Sequence, residues 1–241
     1  WFEKAKWVYP NWRDGLRAAL EEIAKKHQVD WYLGTDVQIP DKYDFILNWD
    51  NSTSGFIPQM QKLHGRKGLI LTTDLGMEIE PLKNYDVIFP EAQPVHDKLI
   101  SAGINSIKAF GTDTDFFKPV DGYVDIGDKV YEAFYPATFS PWKRNQIFSD
   151  IYKDRGLLCG TIQPDGWEIF QHCVANNTPT IVGYLAAEEI RTLYEKSVKV
   201  HITGWEGSGR AVLEALSMNL PVEVMSDNIK ATSYIKECTN W

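Results

Sequence analysis

The stretch Glu206-Gly207-Ser208-Gly209-Arg210-Ala211-Val212-Leu213-Glu214 decides how the rest of the chain reads. An apolar run from Val198 to Ile202 leads into a Gly-Ser-Gly turn and then into a helix rich in Ala, Val and Leu. The first turn of a helix holds N–H groups without intrahelical partners and carries roughly half a positive charge. Gly207, Ser208, Gly209 and Arg210 therefore converge on a berth for an anion, most readily a phosphate. Glu206 falls in the turn and Glu214 about a turn and a half inside the helix, so two carboxylates can flank a ligand whose phosphate rests on the helix end. Ionised carboxylates only accept hydrogen bonds, and sugar hydroxyls donate them.

Working outward, short β-rich runs alternate with longer amphipathic ones. KWVYP (6–10), VDWYLG (29–34), YDFILNW (43–49), KGLILTT (67–73), YDVIFP (85–90) and SIKAFG (106–111) read as strands, with helices expected over 12–27, 55–63 and 94–102. The second half repeats the pattern with VYEAFYPA (130–137), GLLCGT (156–161), TPTIVG (178–183) and VKVHIT (198–203), and with helices over 145–155, 166–174, 187–196 and from Gly209. This alternation predicts α/β architecture: two Rossmann-like parallel-sheet domains facing a cleft, the N-terminal one shortened. Gly111, Pro119 and Gly122 cluster without helical periodicity, so the boundary is expected to divide 1–118 from 119–241.

Composition narrows the function classes. With 241 residues, 44% hydrophobic and 24% charged, the chain reads as ordinary globular protein. No apolar run approaches the ~20 residues of a membrane span, and the opening WFEKAKWVYP lacks the pattern of a signal peptide. Membrane association is not indicated. A net charge of -8 argues against broad nucleic-acid binding, which needs a cationic footprint. Cys159, Cys173 and Cys238 are odd in number and widely spaced, which speaks against a disulfide framework or a zinc site and for a cytoplasmic setting. His172-Cys173 reads as packing on a helix face. His64 and His96 fall on predicted helices and read as ordinary surface or core histidines.

The frame from Glu206 to Glu214, with its flanks IVGYLAAEEIRTLYEKSVKVHIT and LSMNLPVEVMS, resembles the Glu-x7-Glu signature of the retaining, metal-independent glycosyltransferases of the GT-B fold, family 4 in particular. The resemblance implies that Glu206 contacts the transferred sugar and Glu214 the ribose diol of a nucleoside-diphosphate sugar such as a UDP- or GDP-sugar, with no cofactor and no metal. YPATFSPWKRNQ is similar to the family's loop that ends in a diphosphate-binding lysine, here Lys143. An arginine common five residues earlier is Thr138 in this chain, so Arg144 or Arg210 is expected to supply the second cation. Gly183, Tyr184 and Leu185 stand where the family holds the base. KGLILTTDLG resembles the strand ending in a His-Asp pair; the pair here is Thr73-Asp74, which keeps an acceptor at Asp74 but no group that titrates near neutrality. Gly15 is what remains of a glycine-rich loop facing the phosphates. GTDTDFFKP resembles the family's interdomain segment, so Asp113-Thr114-Asp115 reads as linker rather than metal motif, and Phe116-Phe117 as a docking pair.

Other nucleotide and hydrolase motifs fail on the residues. Val212 stands where a dinucleotide fingerprint wants its third glycine, no Walker A pattern occurs, and Ser208 lacks a nucleophile-elbow context. The expected function is retaining, metal-independent sugar transfer from a nucleotide donor to a glycan, lipid or small-molecule acceptor. Trp7, Trp12, Trp31 and Trp49 read as core or as stacking surfaces for a glycan. Two alternatives stand beside that expectation: a non-catalytic or degenerate nucleotide-sugar-binding domain, and a sugar-nucleotide hydrolase or epimerase.

Overall fold

The computed structural model describes residues 2–3, 15–30, 32–33, 40–50, 62–72, 78–109, 111–119, 129–205 and 209–239. The chain forms two compact units that meet in sequence at Phe110 and Gly111.

In the first unit, β1 (Phe2–Glu3), β2 (Tyr32–Leu33), β3 (Phe45–Asp50), β4 (Arg66–Leu71) and β5 (Val87–Pro90) form one sheet in the order β2-β1-β3-β4-β5. Every pairing is parallel, from Phe2 opposite Tyr32 to Leu71 opposite Pro90. Helices α1 (Gly15–Ala24), α2 (Ile79–Leu82) and α3 (Gln93–Ser101) join the strands. Leu69, Ile70 and Leu71 are buried in succession, the mark of a strand covered on both faces. Leu20 of α1 packs on Ile70, with Leu47 and Phe89 against them.

Several expectations change here. The helix expected over 12–27 ends at Ala24, where Lys25-Lys26-His27 offers only exposed charge and closes a turn onto Glu22 and Ile23. The stretch 106–111 is no full strand; Ser106 bridges Ile88, and the N–H groups of Ile107 and Ala109 donate to Ile88 O and Pro90 O. His64 lies in the turn before β4 rather than on a helix, and pairs with Asp41. The expected strand at 6–10 and helix at 55–63 lie mostly or wholly outside the described residues.

The second unit holds β6 (Tyr131–Pro136), α4 (Asn145–Tyr152), β7 (Gly156–Gly160), α5 (Trp167–Ala175), β8 (Thr180–Val182), α6 (Ala187–Glu195), β9 (Ser197–Ile202), α7 (Arg210–Ser217), β10 (Val222–Val224) and α8 (Ile229–Thr239). Its parallel sheet runs β10-β9-β6-β7-β8. Ala133, Phe134 and Tyr135 in the central β6 are fully buried. Alternation along the strand sends Phe134 to Tyr194 of α6, ring centroids 5.2 Å apart, and Tyr135 to Phe148 of α4 at 6.0 Å. α4 stops at Tyr152 rather than Arg155 because Lys153 takes a left-handed φ of 53° that breaks the helical bonding. Ahead of the boundary expected after Lys118, Phe117 is buried edge-on against Tyr194, 6.2 Å between centroids, and Ser217 donates to Phe117 O. Phe117 thus packs inside the second unit.

Asn228 ties the last helix to the end of β9. Its Oδ1 accepts from Ala231 N at 3.1 Å, an N-cap for α8, while its Nδ2 donates to Gly204 O at 2.7 Å. Replacing Asn228 by Ala is expected to cost about 2–3 kcal/mol, about 1 from the cap and the rest from a buried carbonyl left without a donor. Asn228→Ser keeps a capping acceptor and loses the donor to Gly204 O, so urea unfolding should rank wild type above Ser above Ala. The cysteines give an independent check. Burial pushes the Cys159 thiol up to about 12 and Cys173 to about 11, while Cys238 is only half-buried. Thiol labelling of the native protein near pH 8 should therefore be fast at Cys238 alone, with the other two reacting on unfolding.

Candidate functional site

In order of appearance the second sheet runs fifth, fourth, first, second, third. The connections leave β6 and β9 in opposite directions, and an open α/β sheet binds ligands in the crevice beyond the strand ends at that point. Two turns meet there. After β6 the chain makes a tight turn at Pro141–Lys143, and Arg144 adopts φ 52°, ψ 38° before α4 begins. A non-glycine residue in that region costs on the order of 1 kcal/mol and persists where its surroundings hold it.

The hold comes from the turn that follows β9. Trp205 N donates to Trp142 O at 2.9 Å, and Thr203 Oγ1 lies 3.1 Å from Arg144 O and 3.4 Å from Lys143 O. Tyr135 of β6 adds its hydroxyl to Lys143 O at 3.2 Å. Gly204 lies so close that a Cβ there would sit 2.2 Å from Lys143 O.

Lys143 is only 8% exposed, with Nζ 4.5 Å from the centroid of the Trp142 ring. It is therefore a buried cation held by a turn and not a solvated helix start. Arg144 turns the other way: Nη1 pairs with Asp227 Oδ2 at 2.7 Å and the guanidinium stacks on Trp205 at 4.7 Å. The Arg144 guanidinium in turn holds the Asp227 carboxyl below its usual value. The expected second cation thus spends its charge within a clasp linking the turns after β6, β9 and β10.

Gly209 is the N-cap of α7, and a Cβ on it would come within 2.2 Å of the Tyr234 ring of α8. Arg210 opens the helix, half-buried. Glu214 lies four positions further on, nearer one turn in than one and a half, and is 6% exposed. Its Oε2 accepts from the Tyr194 hydroxyl at 2.9 Å. Tyr184 is exposed and Leu185 half-buried in the segment after β8, where Gly183 takes a φ of 127°. Gly15 is the first residue of α1. Glu206, Gly207, Ser208, Thr73 and Asp74 lie outside the described residues.

The other singled-out residues have local explanations. Asp113 Oδ1 accepts from Phe116 N at 3.1 Å and so shapes a turn. His172 pairs with Asp150 at 2.7 Å, Cys173 is buried, and His96 meets Ser106 Oγ at 2.9 Å. Among the described residues, no group of three or more His, Cys, Asp or Glu is placed to hold a metal ion, and no helix is long and apolar enough to cross a membrane. Sequence reasoning missed Tyr194, Asp227 and Asn228. The only sequence trace of the last is its place just before α8, where Asn commonly caps.

No protein family and no curated protein matches the chain by sequence. Solved structures do resemble it. A glycosyltransferase from Rickettsia africae ESF-5 superposes with a TM-score of 0.55 at 15% identity, over 92% of this chain and 70% of that one. TarM gives 0.57 at 11%, over 81% of this chain and 47% of its own. An α-glucosyltransferase solved with UDP and a 13-mer DNA gives 0.50 at 13%, over 80% and 66%. At these identities the likeness is one of fold: this chain has the two-sheet α/β fold of the GT-B glycosyltransferases.

Proposed function

We propose that the chain is a retaining, metal-independent glycosyltransferase whose second unit binds a nucleoside-diphosphate sugar and whose first unit receives the acceptor. The reading rests on one juxtaposition. A buried lysine, Lys143, lies in the turn that follows β6, the strand beside which the order of the second sheet reverses, and it is bonded there to the turn that follows β9. A leaving diphosphate gains negative charge as the anomeric carbon–oxygen bond breaks and the acceptor oxygen bonds to that carbon. In this reading Lys143, the backbone N–H groups of Gly207 to Gly209 and Arg210 meet that charge. Glu206 orients the transferred sugar, and Glu214 holds the ribose diol. Tyr184 and Leu185 flank the base. In this reading Gly15 and Asp74 also contribute to donor binding. Retention follows from the resemblance of the Glu206 to Glu214 frame.

The UDP bound by one structural neighbour supports a nucleotide donor. The acceptor is a glycan, a lipid or a small molecule; the net charge of -8 supports an acceptor other than nucleic acid in general. Cysteines outside disulfides fit a cytoplasmic setting.

One observation favours the non-catalytic alternative. With Thr138 in place of an arginine and Arg144 engaged by Asp227, positive charge at the berth is sparse for transition-state stabilisation. Supplying donor with a panel of acceptors separates the two: transfer with retained anomeric configuration supports the enzyme, and tight donor binding without transfer or turnover supports the binding domain. Donor consumption without any acceptor marks the hydrolase or epimerase. In either of the first two cases Lys143→Met, which keeps the aliphatic stem and removes the charge, should weaken nucleoside-diphosphate binding by about 2 kcal/mol in calorimetric titration. An unchanged affinity would remove Lys143 from the site.

A further inference from the structure

Glu214 reaches its proposed partner, the donor ribose, from inside the protein. Glu214 is only 6% exposed, and a carboxylate on a residue so buried needs hydrogen-bond partners. Tyr194 supplies one. Its hydroxyl is 2.9 Å from Glu214 Oε2 and 3.5 Å from Ala211 O, the carbonyl one turn back on the same helix. The Tyr194 ring is itself fully buried, edge-on to Phe134 at 5.2 Å and to Phe117 at 6.2 Å. A ring wedged between a central strand and the segment entering the unit has little rotamer freedom, so its hydroxyl is a fixed point.

We propose that Tyr194 is the positioning residue of the donor site: it fixes the Glu214 carboxylate in the one orientation that accepts both hydroxyls of a ribose diol. A carboxylate has about four lone-pair directions; the bond from Tyr194 takes one of them, and a vicinal diol needs two. Glutamate has three side-chain torsions, and without Tyr194 the carboxylate samples orientations that satisfy one hydroxyl at a time. Tyr194 therefore governs discrimination between ribose and deoxyribose without touching the ligand. This inference rests on the assignment of Glu214 to the ribose.

The test is competitive titration of the whole chain with UDP, GDP and ADP and with their 2′-deoxy counterparts. Wild type should prefer the ribonucleotide it binds. In Tyr194→Phe, which keeps the ring and its packing, that preference should fall about tenfold, while affinity for the 2′-deoxy nucleotide and the thermal midpoint change little. Glu214→Gln should lower the preference as well, and the double variant no further. Phe134→Leu loosens the ring's seat with both polar groups intact and should lower the preference in the same direction, which keeps the test open should Tyr194→Phe fail to fold. A preference lost in Glu214→Gln but intact in Tyr194→Phe and Phe134→Leu would overturn the positioning role alone. A preference intact in Glu214→Gln would overturn the ribose assignment and the positioning role with it.

Discussion

Backbone contact between Gly204 and Lys143 is the constraint on which the candidate site depends. The parallel order of the second sheet sets β6 beside β9, so the turns leaving both strands must share the same end of the sheet. They share it at van der Waals range. A side chain at 204 would stand 2.2 Å from Lys143 O, and the Trp205 N–H closes a 2.9 Å bond to Trp142 O. Position 204 is glycine for want of space and not for want of a φ, since nothing larger than hydrogen fits between the two turns.

From that contact the electrostatics follow. Three backbone carbonyls, at 142, 143 and 144, are occupied by donors from the turn after β9 and from β6, so the left-handed Arg144 is held against its conformational cost. Side chains on either side of that bend then diverge. Lys143 stays buried over Trp142, and Arg144 swings out to Asp227 and Trp205. One turn thereby holds one buried cation and one that fastens it to the turns after β9 and β10. Asn228 completes the fastening by joining Gly204 O to the start of α8.

Much of this was legible in the sequence, and the division has a physical basis. Strand and helix alternation survives in any linear reading because burial imposes periods of two and 3.6 on neighbouring residues. The start of α7 is legible because a glycine followed by an apolar helical run is a local signal. Residues that work by meeting distant partners left no such trace. Asn228 acts across 24 positions, Tyr194 across 20 and Asp227 across 83. Arg144 shows the same limit: its neighbours in sequence suggest a phosphate cation, and only folding reveals its pairing with Asp227. β10 went unread because Glu223 interrupts a run of three residues, and the short helix-breaking role of Lys153 has no sequence cue beyond its φ.

Crystallography of the chain with the nucleoside diphosphate it binds most tightly tests the central claim most directly, namely that the strand-order reversal of the second unit is a nucleotide-sugar site. The account predicts diphosphate oxygens within about 3 Å of Lys143 Nζ and of the N–H groups opening α7, and the ribose hydroxyls on Glu214. A nucleotide seated elsewhere, with Lys143 still folded over Trp142 and making no phosphate contact, would contradict it.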